Sequence, residues 1–166
     1  MPAGKTYTPL ARTTLTSAAA SVTFSNISGS YTDLVLVTSA KLTSGSEDAI
    51  VRVNSDSGSN YSQTILSGTG SSAVSARGSN ATKMFLDSYG WVDSTNFNVS
   101  IAHFMNYSNT TTYKTMLARG NNASSGVDAI VNLWRSTSAI TSIQVLPNSS
   151  TFAAGSTFTL YGILAA

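Results

Sequence analysis

From Phe152 the chain runs Phe-Ala-Ala-Gly-Ser-Thr-Phe-Thr-Leu-Tyr-Gly-Ile-Leu-Ala-Ala166, a glycine turn followed by Phe158, Leu160 and Gly162 alternating with Thr157, Thr159 and Tyr161. That two-residue period belongs to a strand with unlike faces, whereas a helix would repeat every 3.6 residues. A terminus built this way is expected to be sealed into a sheet. The rhythm recurs along nearly the whole chain, predicting strands over 21–27, 31–43, 49–54, 61–66, 81–86, 96–107, 113–118, 127–134, 140–146 and 157–164. Helix is the poorest fit, because β-branched residues, Ser and Asn dominate and good helix formers never accumulate. One short helical turn fits at Arg135 to Ala139.

The separators between these runs are turn-formers. Ser55-Asp-Ser-Gly-Ser-Asn60 and Gly120-Asn-Asn-Ala-Ser-Ser-Gly126 are turn-rich, and Pro147 ends a strand by removing a donor. Leu34-Val-Leu-Val37, four apolar residues in succession, predicts a strand covered on both sides. Eight to ten strands at this spacing predict an all-β, two-sheet antiparallel β-sandwich of the jelly-roll kind. With 166 residues, one domain is expected. Residues 1–12 contain Pro2, Gly4 and Pro9 without a sustained period, so they read as an extended N-terminal arm that leads into the domain at 13–166.

Charge narrows the function. Charged residues make up only 10% of the chain, against roughly 25% in ordinary soluble domains, and 51 Ser and Thr fill the gap. A polar but nearly neutral surface gives up the charge repulsion that keeps monomers apart, which suits assembly. The net charge is +2, yet Arg12, Arg52, Arg77, Arg119 and Arg135 are scattered singly, so no basic stripe marks a nucleic-acid partner. The chain has no Cys, and therefore no disulfide or thiolate metal site. No apolar run is long enough for a signal peptide or a membrane span.

Several constellations imitate active or binding sites. Gly68-Thr-Gly-Ser-Ser-Ala73 has the spacing of a dinucleotide-binding loop, but the Ser/Gly-rich stretch 71–80 has no helical period to aim amides at a pyrophosphate, so a flexible loop is expected there. Asn54, Asp56, Gly58 and Asn60 offer oxygens at alternate positions. A calcium loop of the EF-hand type would place its glycine one residue later and a Glu where Ile65 stands. His103, the sole histidine, shares a strand face with Val99, Ile101 and Met105 and reads as a hydrogen-bonded structural residue. Glu47 and Asp48 are adjacent loop acids of the kind that is usually just solvated. The eight Asn-x-Ser/Thr triplets are what so hydroxyl-rich a composition supplies by chance. No catalytic, cofactor or metal site is therefore expected, nor enzymatic activity.

Among the aromatics, Phe24, Phe97, Trp134 and Phe158 fall on strand faces and read as core. Tyr89-Gly-Trp91 lies in a turn-like segment beside Asp93; an exposed Tyr–Trp pair there would anchor a subunit contact, the reading favoured here, or stack on a sugar ring, and the alternative to both is plain packing.

Seven segments resemble small virion proteins of tailed bacteriophages, particularly phages of cyanobacteria and other aquatic bacteria. They are Tyr7-Thr-Pro-Leu-Ala11, Ser21-Val-Thr-Phe-Ser-Asn-Ile27, Tyr31-Thr-Asp-Leu-Val-Leu-Val37, Gly58-Ser-Asn-Tyr-Ser62, Asn106-Tyr-Ser-Asn-Thr-Thr-Thr-Tyr-Lys-Thr115, Leu133-Trp-Arg-Ser-Thr137 and Ala154-Gly-Ser-Thr-Phe-Thr-Leu-Tyr-Gly-Ile163. The likeness covers nearly the whole chain and implies a jelly-roll structural protein on the outer surface of a phage particle, assembled in the host bacterial cytoplasm. In that group similar domains serve as capsid decoration (cement) proteins or as head-distal parts of tail fibres. A compact body with a short arm favours decoration, with the major capsid protein or another virion protein as partner and a homotrimer or homodimer as the assembled form. Tyr7 and Arg12 on the arm, with Tyr89 and Trp91, are the candidate partner contacts. The alternative is a tail-fibre or receptor-binding module that recognises host-surface carbohydrate.

Overall fold

The computed structural model describes residues 6–164, and every regular element among them is a strand. In chain order these are β1 (Tyr7–Thr14), β2 (Val22–Phe24), β3 (Asp33–Ala40), β4 (Ser46–Glu47), β5 (Ala49–Val53), β6 (Tyr61–Gly68), β7 (Ala73–Ala81), β8 (Met84–Phe85), β9 (Val92–Asp93), β10 (Asn98–Met105), β11 (Lys114–Asn122), β12 (Gly126–Trp134), β13 (Ile143–Pro147) and β14 (Thr157–Ile163). An eight-stranded sheet has the order β1-β14-β3-β10-β11-β12-β6-β7, a four-stranded sheet the order β2-β13-β5-β8, and β4 pairs with β9. All the pairings are antiparallel.

The two larger sheets pack face to face, as in a β-sandwich. Leu34, Leu36, Phe104, Met116, Ile130, Phe158 and Leu160 from the larger sheet share one core with Val22, Phe24, Val51, Val53, Ile143 and Val145 from the smaller. The alternation predicted for the C-terminal run is present: Phe158, Leu160 and Gly162 are buried and the intervening residues are partly open. Leu34, Val35 and Leu36 are buried. Val35 points to the outer side, where it lies in register between His103 and Tyr161.

The four-stranded sheet covers only part of its larger neighbour. Over β11 and β12 the cover is the segment 85–93, held by polar inward residues. Asn132 accepts from the Phe85 amide at 2.8 Å and donates to its carbonyl at 3.0 Å, so one side chain imitates a ladder partner. At the far end Tyr61 stacks on Trp134, with ring centroids 6.5 Å apart. Burial pushes the Tyr61 hydroxyl up to about 12.

Four expectations change. Residues 73–81 form the edge strand β7 rather than a flexible loop. Most of β7 is exposed, so neither face had to be apolar and no alternation marked it. The strand expected over 81–86 shrinks to Met84–Phe85. Residues 135–139 hold no helical turn; the chain there is irregular, and its carbonyls at Thr137 and Ala139 accept from Lys114 Nζ and Asn54 Nδ2. Of the expected arm, residues 1–5 lie outside the described residues, while Tyr7 to Arg12 belong to β1, which runs past the boundary at residue 12 and pairs with β14 across a bulge between Pro9 and Ala11.

Gly120 shows how closely the 85–93 segment sits. A Cβ there would lie 2.6 Å from Asp87 Cβ and 2.7 Å from Asp128 Oδ1, whereas one on Gly68 would meet nothing within 4 Å. Overpacking of this kind costs about 1–3 kcal/mol. Gly120→Ala is expected to lower the urea midpoint accordingly, and Gly68→Ala to leave it within experimental error.

Candidate functional site

The side chains singled out by sequence fall in separate places. Tyr7 and Arg12 project from the outer side of the eight-stranded sheet, opposite Ile163 and Thr159 of β14. Tyr7 is 57% exposed and its ring meets Tyr161 edge-on, with centroids 6.1 Å apart. Arg12 is exposed. Both therefore face solvent at the β1 edge of the sheet.

Tyr89 and Trp91 stay together, with rings 6.3 Å apart, but only Tyr89 is open. Trp91 is 4% exposed, which overturns the expectation of an exposed pair. Its carbonyl accepts from Asn122 Nδ2 at 2.9 Å, and that bond ties the segment to the end of β11. Tyr89 has φ 63° and Gly90 φ 69°. Two successive left-handed residues make a tight turn that usually takes Asn-Gly, so a tyrosine here bears local strain. Phe97, expected in the core, is 47% exposed and lies under the Lys41 ammonium, 5.2 Å from its ring centre.

His103 does share its face with Val99, Ile101 and Met105. Its Nε2 lies 2.9 Å from Asp33 Oδ2, and Asp33 Oδ1 accepts from the Asn106 amide at 2.7 Å. The residues beside it in register are Val35 and Leu117, which have no nucleophilic atom. The pair ties β10 to β3.

The loop weighed as a calcium site spends its oxygens on the protein. Asp56 accepts from the Gly58 amide, Asn60 Nδ2 and Trp134 Nε1 at 2.7–2.9 Å. Burial works upward on this carboxyl, but the three donors outweigh it and hold it below the usual range. Asn54 Oδ1 accepts from the Thr141 and Ser142 amides. Gly68-Thr-Gly-Ser-Ser-Ala73 turns β6 into β7 and closes on itself through Thr69 Oγ1 and Ser72. Among the described residues no cluster of three or more His, Asp or Glu is placed to hold a metal ion.

Sequence reasoning missed the group with the most unusual electrostatics, a set of carboxyls clamping residues 87–90. Asp128, on the inner side of β12, accepts from the Ser88 amide and hydroxyl at 2.8 Å and from the Gly120 amide at 2.9 Å. Asp48 accepts from Gly90 at 2.8 Å, and Asp87 Oδ1 from Ala49 at 3.1 Å. Asp87 Oδ2 is buried without a hydrogen-bond partner among the described residues. Burial pushes Asp87 well above the carboxylate range, and the nearby charges of Asp128 and Asp48 push the same way. Asp128 is also raised, by burial, against the pull of its donors. A buried acid gives no sequence signal of its own; the hint lay in the polar residues Asn122, Asp128 and Asn132 occupying inward positions of otherwise alternating strands.

In comparisons with known proteins the chain matches no family model and no curated protein.

The acids give a pH signature with two limbs. Asp87 and Asp128 bind protons more tightly folded than unfolded, so their contribution is full in acid and is lost as pH rises from about 4 through their folded values. Asp56, Asp93 and Glu47 are lowered, so theirs is present above the unfolded value and is lost as pH falls. Asp87→Asn removes most of the first limb. Its melting temperature relative to wild type is expected to rise between pH 5 and pH 9; a difference that stays constant with pH would contradict the assignment.

Proposed function

We propose that this chain is a virion structural protein of a tailed bacteriophage, a jelly-roll decoration protein that binds the outer shell through protein–protein contacts and performs no reaction. The observation that carries the reading is the character of the surface. Twelve large apolar side chains among the described residues stand exposed on a chain with only nine basic and seven acidic residues. Single exposed hydrophobics are ordinary, but so many with so little charge suit a surface made for contact.

The strand order supports the jelly-roll part of the proposal. Setting aside the β6–β7 and β11–β12 hairpins and the β4–β9 ribbon, eight strands remain. The first pairs with the last (β1 with β14), the second with the seventh (β2 with β13), the third with the sixth (β3 with β10) and the fourth with the fifth (β5 with β8). A long hairpin rolled into two facing sheets gives that order, the eight-stranded double-sheet architecture found in viral capsid domains. The segments that carry the sequence resemblance supply β1, β2, β3, β14 and the turn into β11.

In this role function is binding energy repeated over a lattice: each copy adds a modest contact and the shell sums them. Tyr89 and Phe97, both exposed on the connection between β8 and β10, are the shell-facing anchors in this reading. The buried Trp91 removes the Tyr–Trp platform on which stacking of a host sugar would have depended.

Quantitative staining or mass spectrometry of purified virions tests the proposal. A copy number in the hundreds is expected; a few to some tens would instead place the chain in a tail fibre. Tyr89→Ala combined with Phe97→Ala is expected to reduce rebinding to stripped particles by about tenfold or more while the fold survives.

A further inference from the structure

We propose that the outer side of the eight-stranded sheet is the surface through which this chain binds a second copy of itself as a two-fold dimer. The inference goes beyond the virion reading and does not depend on it.

Seven of the twelve exposed large apolar side chains, Tyr7 among them, project from this one side. The register fixes the rest. Val99 and Met105 of β10, Leu117 of β11, Val127 and Val131 of β12 and Leu66 of β6 all occupy outward positions on adjoining strands. The outer side of the four-stranded sheet is mixed by contrast: Thr23, Gln144 and Arg52 stand side by side in register next to Leu146, Ile50 and Phe85, and none of its apolar side chains is largely exposed. Arg12 on β1 and Arg77 on β7 stand on the two edge strands, so the ends of the field are charged, while its middle is apolar apart from Asp33, His103 and Arg119. A hydrophobic centre inside a polar rim is the usual anatomy of a protein interface.

Size agrees with a stable dimer. Six strands at about 4.8 Å spacing and eight residues at about 3.3 Å cover about 750 Å² per copy, or about 1,500 Å² for two. Specific interfaces bury roughly 1,200–2,000 Å².

Charge placement selects a second copy over another partner. Arg119 stands in the field between Ile101 and Ala129, beside a notch of about 420 Å³, and makes no hydrogen bond or ion pair among the described residues. Asp33 is the acid on this side. His103 lies midway between the two, one strand across and two residues along from each. A two-fold axis lying in the interface over His103 and perpendicular to the Asp33–Arg119 line therefore sets each copy's Asp33 over the other's Arg119. The arrangement is self-complementary, as an isologous contact requires. Strands of the two copies then cross steeply, as in orthogonal sheet packing.

Light scattering on the size-exclusion peak at micromolar concentration tests this. Wild type is expected at twice the 17.2 kDa chain mass. Arg119→Glu and, separately, Val131→Glu are expected to elute at the single-chain mass with wild-type circular dichroism, while Gln144→Glu on the opposite sheet stays dimeric. Should Arg119→Glu fail to fold, Val131→Glu decides, because its side chain stands in solvent. A wild type that is monomeric or trimeric, a Val131→Glu that remains dimeric, or a Gln144→Glu that dissociates equally would overturn the proposal. Binding only to purified shell protein, or to anionic vesicles, with the free chain monomeric, would do the same.

Discussion

Everything else in the molecule hangs on the seven residues of β14. They pair with β1 on one side and β3 on the other, so among the described residues β14 is the one strand to which the first strand of the sheet is hydrogen-bonded. The same residues deliver Phe158 and Leu160 to the core, where the Phe158 ring lies 4.9 Å from that of Phe152. Most ladders of both large sheets, outside the β6–β7, β10–β11 and β11–β12 neighbours, join segments far apart in the chain. Such a topology pays loop-closure entropy before it gains contacts, which makes for slow folding.

One wide sheet is roofed by two different materials. Over β14, β3 and β10 the roof is a second sheet and the filling is hydrocarbon. Over β11 and β12 it is an irregular polar segment held by Asp48, Asp87, Asp128, Asn122 and Asn132. The second roof includes Asp87 and Asp128, whose pKa values burial raises, which makes it a part of the fold that answers to pH. Interior carboxyls cost least where surrounding amides satisfy them, and here the amides of Ser88, Gly90, Gly120 and Ala49 donate to every member of the set, leaving Asp87 Oδ2 without a donor among the described residues.

Much of this architecture could be read from alternation, and the failures have a common cause. In β14, with one face buried and the other partly wet, hydrophobic period and observed burial agree; β10 and β12 keep the two-residue period but turn Val99, Val127 and Val131 outward and Asn98, Ser100, Asp128 and Asn132 inward. In β7, exposed along most of its length, and in β1, at an edge with Pro9 and a bulge, burial imposes no period and the sequence looks like loop. Trp91 and Phe97 changed places for a related reason: local pattern reports what a residue type prefers, while the distant partner, Asn122 for one and Lys41 for the other, decides where it ends up. The carboxyl clamp was invisible for the same reason, since its members are spread from Asp48 to Asp128.

The antiparallel pairing of β1 with β14 sets the Thr6 carbonyl 3.3 Å from the Leu164 amide. Residues 6 and 164 therefore lie side by side at one pole of the body. A short linker between these two positions would let the polypeptide be opened at an exposed hairpin tip instead, with the pairings of the roll unchanged.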